Sequence, residues 1–241
     1  MPHFLIKNDE IKSDIIKLKD NETLLHIVKA RRIKVGENIK FIDNQKMVYF
    51  CQVQEINKKY LTAKILSKEI SNRTLKYNIS LIQSILAPDS QNLLIANATQ
   101  TGVKKIYPVI SDNVSCKKNN NKTEKWQKIV LENFKQCERA DIAIVEDVSG
   151  LKETLKKFKK ENVLIFSEKD INISLNNCIK DIDLNSEIAV VIGPEGGFSD
   201  NEFEYFKHEN YKMISLGLMI YKAPNAVVAG ISNIISRLDN E

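Results

Sequence analysis

Little in this sequence could hold a metal. Its 241 residues contain four cysteines and three histidines. Cys51, Cys116, Cys137 and Cys178 are widely scattered and form no C-x-x-C pair, and His3, His26 and His208 are equally dispersed. No metal-ligand spacing exists, so no metal site is expected. Four thiols could form two disulfides, but nothing else points to secretion, and reduced thiols in a cytoplasmic protein are the expectation. The first ten residues, MPHFLIKNDE, show no apolar stretch behind a basic start, so no signal peptide is expected. The apolar run Ile188 to Ile192 is far too short to cross a bilayer, and no membrane association is expected. Internal repeats are lacking. So are G-x-G-x-x-G and G-x-x-x-x-G-K-[ST], which sets aside the dinucleotide and P-loop readings.

What remains is an ordinary soluble composition, 43% hydrophobic and 28% charged, with length for one large domain or two modest ones. Charge is unevenly placed. Residues 1–70 hold 14 Lys and Arg against 9 Asp and Glu, so the chain's whole formal excess of +5 lies in its first third. That asymmetry suits a polyanion, and nucleic acid stands ahead of membrane because no basic amphipathic helix is present. The alternative is a solvated lysine-rich surface.

The first seventy residues read as short strands: Phe4–Ile6, Asn38–Ile42, Met47–Val53 and Tyr60–Leu66, with one helix from Glu22 to Ala30 capped by Asp20 or Asn21. Many short strands in so few residues predict a small closed barrel. A boundary is expected at Ser71-Asn72-Arg73. From Tyr77 onward strands and helices alternate, which predicts an α/β unit with a mostly parallel sheet. Its buried-type strands are Ile79–Ile82, Lys105–Ile110, Ile142–Val145, Val163–Phe166, Ile188–Ile192 and Met213–Leu216. A helix from about Glu124 to Arg139 presents Trp126, Val130 and Phe134 on one face. Ser149 is expected to cap a lysine-rich helix carrying Leu151, Leu155 and Phe158. Lys117 to Lys122 reads as a polar loop.

The segment from Val190 to Ser199, VVIGPEGGFS, is the most informative. A β-branched run stops at Gly-Pro, passes a lone carboxylate and two glycines, and reaches a serine placed to start a helix. Adjacent glycines let a ligand approach the main chain closely, and the strand holds the loop at the carboxyl edge of the sheet, where open α/β folds put ligands. A tight turn with no ligand is the alternative. Ser199 and Glu202 match the capping box S-x-x-E, and the helix they start adds a positive field favouring an anionic or carboxylate-bearing ligand.

These features, together with the run His26 to Gly36 (HIVKARRIKVG), Thr99 to Val103 (TQTGV), Trp126 with Gln136 and Arg139, Ile192 to Phe198, and Ser215-Leu-Gly217 leading through Ala226 into a last helix, resemble a known family. It is that of the RsmE-type 16S ribosomal RNA uridine N3-methyltransferases of the trefoil-knotted SPOUT superfamily. The resemblance spans nearly the whole chain. It implies a PUA-like RNA-binding β-barrel over residues 1–70 and a knotted α/β methyltransferase domain over 74–241. It also implies S-adenosyl-L-methionine as cofactor, small-subunit ribosomal RNA or the assembled subunit as partner, and a homodimer. Three loops would enclose the cofactor, and the residues carried over are Phe166 and Glu168; Ile192, Gly193, Glu195, Gly196 and Gly197; and Leu216, Gly217, Ile220, Tyr221 and Ala226. Glu195 would bind a hydroxyl or the ammonium group, or stabilise the loop. For RNA the candidates are Arg31, Arg32 and Lys34, with Arg139 either among them or bridging the dimer.

The chain departs from the family where the last loop usually reads Leu-Arg-(Thr/Ala)-(Glu/Asp)-Thr-Ala. Here it reads Tyr221-Lys222-Ala223-Pro224-Asn225-Ala226. Lys222 keeps the arginine's charge without its planar fork and is the candidate catalytic residue. Pro224 removes a carboxylate, and Asn225 is expected to keep a polar cap. Gln100 stands for a usual glutamate, Ala87 and Asn97 for frequent lysines, and His3 near a common arginine. A competing reading follows, a SPOUT-fold RNA-binding or ribosome-assembly protein that has lost the chemistry.

Overall fold

The computed structural model describes residues 3–114, 122–169 and 171–239; Cys116 and the stretch 117–121 lie outside the described residues. The chain divides into two units, residues 1–74 with 134–141, and residues 75–133 with 142–241.

The first unit is built on β1 (His3–Leu5), β2 (Ile11–Lys12), β3 (Ile15–Leu18), β4 (Asn38–Ile42), β5 (Met47–Ile56) and β6 (Leu61–Ile70), hydrogen-bonded in the order β1-β4-β5-β6-β3-β2. In β3, Ile16 and Leu18 turn inward while Ile15 and Lys17 face out, the period-2 pattern of a half-buried strand. With Ile27, Phe41 and Leu61 they form a core in which all five are fully buried. Each such side chain contributes about 1.5–3 kcal/mol relative to exposure. Two bulges, between Phe50 and Cys51 and between Val53 and Glu55, bend the β5–β6 hairpin. The expected closed barrel is realised as an open series, since no pairing among the described residues joins β1 to β2. Helix α1 (Asn21–Leu25) starts at Asp20, whose carboxylate accepts from Thr23 N at 2.8 Å. The winding then loosens into a π-helical turn over His26–Ala30, where one regular helix was expected.

The second unit carries β7 (Ile79–Ser84), α2 (Pro88–Gln100), β8 (Lys105–Ile110), α3 (Thr123–Cys137, its residues 134–137 counted with the first unit), β9 (Ile144–Val145), β10 (Ser149–Gly150) and α4 (Leu151–Leu155). It continues through β11 (Val163–Phe166), α5 (Leu175–Ile179), β12 (Ile188–Ile192), α6 (Asp200–His208), β13 (Lys212–Ile214) and α7 (Ala223–Leu238). Its sheet runs β10-β8-β7-β12-β11-β13, with β9 also on β8, and every pairing is parallel. β7, β11 and β12 are buried along their whole length, as strands covered on both faces must be. On one face α2 and α7 bury Leu94, Ala98, Val227 and Ile231 with Leu81, Leu164 and Val190. On the other, α4 and α6 bury Leu151, Leu155, Phe203 and Phe206 with Ile82, Ile165 and Val191. Among the elements that went unread in the sequence are the two-residue strands β2 and β10, the four-residue β3, and α5, a single turn capped by Ser174. The lysine-rich helix is shorter than expected. It ends at Leu155 and has Gly150 at its N-cap, because the Ser149 hydroxyl is engaged with Thr154 Oγ1 at 2.6 Å.

Helix α7 lies close over the sheet through Gly230. A Cβ there would stand 2.5 Å from Phe166 Cε2. Gly230→Ala should therefore destabilise the protein in urea unfolding. Overpacking of about 1–3 kcal/mol outweighs a helix-propensity gain of up to about 1 kcal/mol.

His3 is buried in the first unit, its ring 4.7 Å from that of Phe134, and its Nε2 has no partner among the described residues. Burial above all, with Lys40 and Arg73 adding to it and Glu138 opposing, lowers its pKa from 6.5 to about 4. The unfolded chain thus takes up a proton that the folded chain refuses between those values. Stability is complete above pH 6.5 and falls as pH drops toward 4. His3→Phe should flatten that limb in urea titrations across the same range.

Candidate functional site

Parallel pairing brings three strand ends level. Ile192 of β12 lies opposite Phe166 of β11, and Phe166 opposite Ile214 of β13. The three loops that follow leave from one edge of the sheet, at the carboxyl ends where such folds bind ligands. Phe166, Ile192 and Ala226 share one buried cluster, with Leu216 packed against it.

The loop after β12 is shaped by packing as much as by glycine freedom. A Cβ at Gly193 would meet the Phe198 ring at 3.2 Å, and Phe198 is buried edge-on against Phe203 and Phe206. Gly197 has φ +70 and its amide donates to Pro194 O at 2.9 Å, closing the turn. Both flanks are gripped. Glu195 Oε1 accepts from Ala87 N at 3.1 Å, at the start of α2, and Asn113 Nδ2 donates to Gly197 O at 3.2 Å. One carboxylate oxygen of Glu195 thus stabilises the loop. The capping box forms as expected: Ser199 Oγ accepts from Glu202 N at 3.1 Å and Glu202 Oε2 accepts from Ser199 N at 2.8 Å. Glu202 also accepts from Asp112 N at 3.0 Å, and the Ser199 hydroxyl donates to Asp112.

The loop after β13 is held at its base by Ser215, whose hydroxyl donates to Gly217 O and accepts from Gly217 N, both at 3.0 Å. Beyond it Leu218 is 97% exposed, and Met219, Ile220 and Tyr221 are exposed too. Lys222 is the N-cap of α7; its carbonyl accepts from Asn225 N and Ala226 N, and its side chain is exposed. Asn225 is therefore not the cap that was expected. Pro224 fills the first helical turn instead, where its missing N–H is harmless, and its carbonyl accepts from Asn97 Nδ2 at 2.8 Å. In the loop after β11, Glu168 is exposed. A cavity of about 470 Å³ lies between that loop, the Ser215–Gly217 turn and α7, lined by Ile171, Ile173, Leu175, Leu216, Gly217 and Arg237 among others. Of the expected cofactor residues, Leu216 and Gly217 line it.

In the first unit Arg31, Arg32 and Lys34 are all exposed, directly after the π-helical turn. Arg32 is held at φ +54, a left-handed conformation uncommon for a side chain of its size. Arg139 corrects the expectation placed on it. It is 6% exposed, with Nε and Nη2 at 3.2 and 3.1 Å from Asp141 Oδ1, so its charge is satisfied inside the unit rather than offered to RNA. Asn113, Gln83 and Gln91 were missed. Their signal was polarity out of place, Gln83 most clearly, a carboxamide within a strand whose six residues are all buried.

This fold and edge define a class, the parallel-sheet α/β proteins with a ligand-binding carboxyl edge, and comparison with known proteins narrows it to the RNA methyltransferases. Residues 73–235 match the RNA methyltransferase domain and residues 18–66 the RNA methyltransferase PUA domain. The chain belongs to this RNA methyltransferase family and, within it, to the ribosomal RNA small subunit methyltransferases E. It is 30% identical over 211 residues to that protein of Mesomycoplasma hyopneumoniae, covering 86% of this chain and 88% of the other. It is 29% identical over 223 residues to that of Rickettsia conorii, covering 91% and 88%. The crystal structure of ribosomal RNA small subunit methyltransferase E from Neisseria gonorrhoeae bound to S-adenosyl methionine superposes with a TM-score of 0.84 at 26% identity, covering 98% and 97%.

The Ser199 cap is testable on its own. Ser199→Ala removes the acceptor for Glu202 N and should lower stability by about 1 kcal/mol in urea unfolding, within the usual range for a lost N-cap.

Proposed function

We propose that this protein methylates N3 of a uridine in small-subunit ribosomal RNA, with S-adenosyl-L-methionine as methyl donor. The observation that carries the proposal is the level alignment of Phe166, Ile192 and Ile214, which delivers three loops to one edge with the glycine turn among them. The residues suit the donor. Gly197 and Gly217 have positive φ and open space where a side chain would stand, and a cavity of about 470 Å³ falls within the range of nucleoside-sized sites. Leu216 and Gly217 line that cavity, and in our reading Ile192, Gly193, Gly196, Ile220, Tyr221 and Ala226 meet the donor from the neighbouring loops outside it, with the second oxygen of Glu195 free for a hydroxyl or the ammonium group. The donor, when bound, supplies a methyl group on a sulfonium.

The remaining chemistry belongs to the chain. N3 of uracil carries a proton and is a poor nucleophile until that proton leaves, so a fixed cation beside the developing oxyanion lowers the barrier. Lys222 fills that role in our reading, its backbone pinned at the N-cap of α7 and its ammonium free to reach the base. Since N3 lies on the pairing edge, the base must be unpaired or extruded. The residues 1–70 form the PUA-like unit, where Arg31, Arg32 and Lys34 hold phosphates and supply salt-sensitive affinity without selecting sequence. The exposed Leu218, Met219 and Ile220, with Leu93 on α2 and Val228 on α7, offer an apolar surface for a second copy. We place the protein in the cytoplasm. A scaffold without methyl transfer is the second reading, favoured by Pro224 and Lys222 in the last loop.

Calorimetry with S-adenosyl-L-methionine separates these readings, and mass mapping of small-subunit RNA after deletion of the gene tests the target. One uridine methyl should vanish and return with the gene; an unchanged map overturns the assignment. Lys222→Ala should lower turnover by about 10²-fold or more while donor affinity stays within about twofold. Unchanged turnover removes Lys222 from the mechanism.

A further inference from the structure

The turn joining β7 to α2 presents two consecutive amides to side chains from different segments. Leu86 N donates to Gln91 Oε1 at 2.9 Å, and Ala87 N donates to Glu195 Oε1 at 3.1 Å. Gln91 is in turn fixed from the sheet, its Nε2 donating to Gln83 Oε1 at 2.8 Å. Both glutamines are at most 1% exposed. Gln83 stands opposite Ile192, the last residue before the glycine loop. A chain of contacts therefore runs from β7 through Gln83, Gln91 and the Leu86–Ala87 turn to Glu195.

This arrangement is expensive. Gln83 Nε2 has no partner among the described residues, and a buried donor left so keeps its desolvation cost uncompensated. An apolar pair at positions 83 and 91 would avoid that cost, and the surrounding strand is otherwise suited to it, with Leu81 and Ile85 buried in the same cluster. What such a pair could not do is hold Leu86 N, and so set the direction of the neighbouring Ala87 amide. The Ala87 amide is what holds one Glu195 carboxylate oxygen, and an exposed glutamate without such a hold samples several rotamers.

We propose that Gln83 and Gln91 are positioning residues for the glycine loop, acting through the Ala87 amide on Glu195. This rests on the reading of that loop as donor-binding, but its mechanical part does not need the donor. Gln91 touches no reacting group in this scheme; it acts by fixing the turn that fixes the loop.

The test uses the full-length protein and hydrogen exchange at the Gly197 amide, which donates to Pro194 O and so reports closure of the loop. Without any ligand, Gln91→Leu and Glu195→Ala should each speed exchange at Gly197 by about fivefold, the effect of one lost hydrogen bond. The double variant should exchange within about twofold of either single one, since both remove the same link. Gln83→Leu, which removes only the support beneath Gln91, should act in the same direction and carries the test if Gln91→Leu does not fold. A merely structural role would lower global stability and leave Gly197 exchange unchanged relative to amides in β8; that result overturns the proposal, as does a double variant in which the effects multiply. S-adenosyl-L-methionine affinity is measured on the same proteins, with a parallel loss of about fivefold expected. Absence of binding to the wild-type protein would overturn the functional reading, and Gly197 exchange would still decide the clamp.

Discussion

The parallel register of β12, β11 and β13 is the constraint on which the rest of the site depends. Side chains alternate between faces with period two, so a slip of one residue in β11 would turn Phe166 away from α7 and push Ile165 into its place. The register is held because both faces are apolar and differently filled. Small and branched residues meet α7 on one side, and aromatics from α6 fill the other. Level strand ends then give level loops.

The loops obtain their order from outside themselves. The turn after β12 contains three glycines and little that could stiffen it, yet it is joined to the start of α2 by Glu195, to the turn after β8 by Asn113, and to α6 by the Ser199–Glu202 cap. The turn after β13 is treated differently. Its base is tied by the Ser215 hydroxyl and its far end by Asn97, while the apolar residues between them face solvent. One loop is preset by bonds from three neighbouring segments and the other is left open between its two ties.

What could be read in advance follows from physical range. Runs such as Ile188–Ile192 declare themselves because burial on two faces removes the polar alternation that other strands need, and the Ser199–Glu202 box is legible because both partners lie within one helical turn. Arg139 was misread because a basic side chain shows its charge in sequence but not its partner. Asp141, two residues away, absorbs that charge. Glu195 kept its ambiguity for the opposite reason, since Ala87 is 108 positions distant in the chain. Short elements escaped detection because four or five residues hold too few repeats to display a period.

The margins of the seven-stranded sheet carry protection of their own. Along β8 the neighbouring strand is broken into β9 and β10, two residues each, and beyond β13 the amide and carbonyl of Met213 are both taken by Asn172. Among the described residues neither margin of this sheet offers a continuous ladder of free backbone groups, which disfavours ribbon-to-ribbon stacking, the usual route from exposed strands to aggregates. In this sheet the margins are closed by short strands and by one asparagine, and exposed apolar side chains stand on α2, on α7 and on the loop after β13.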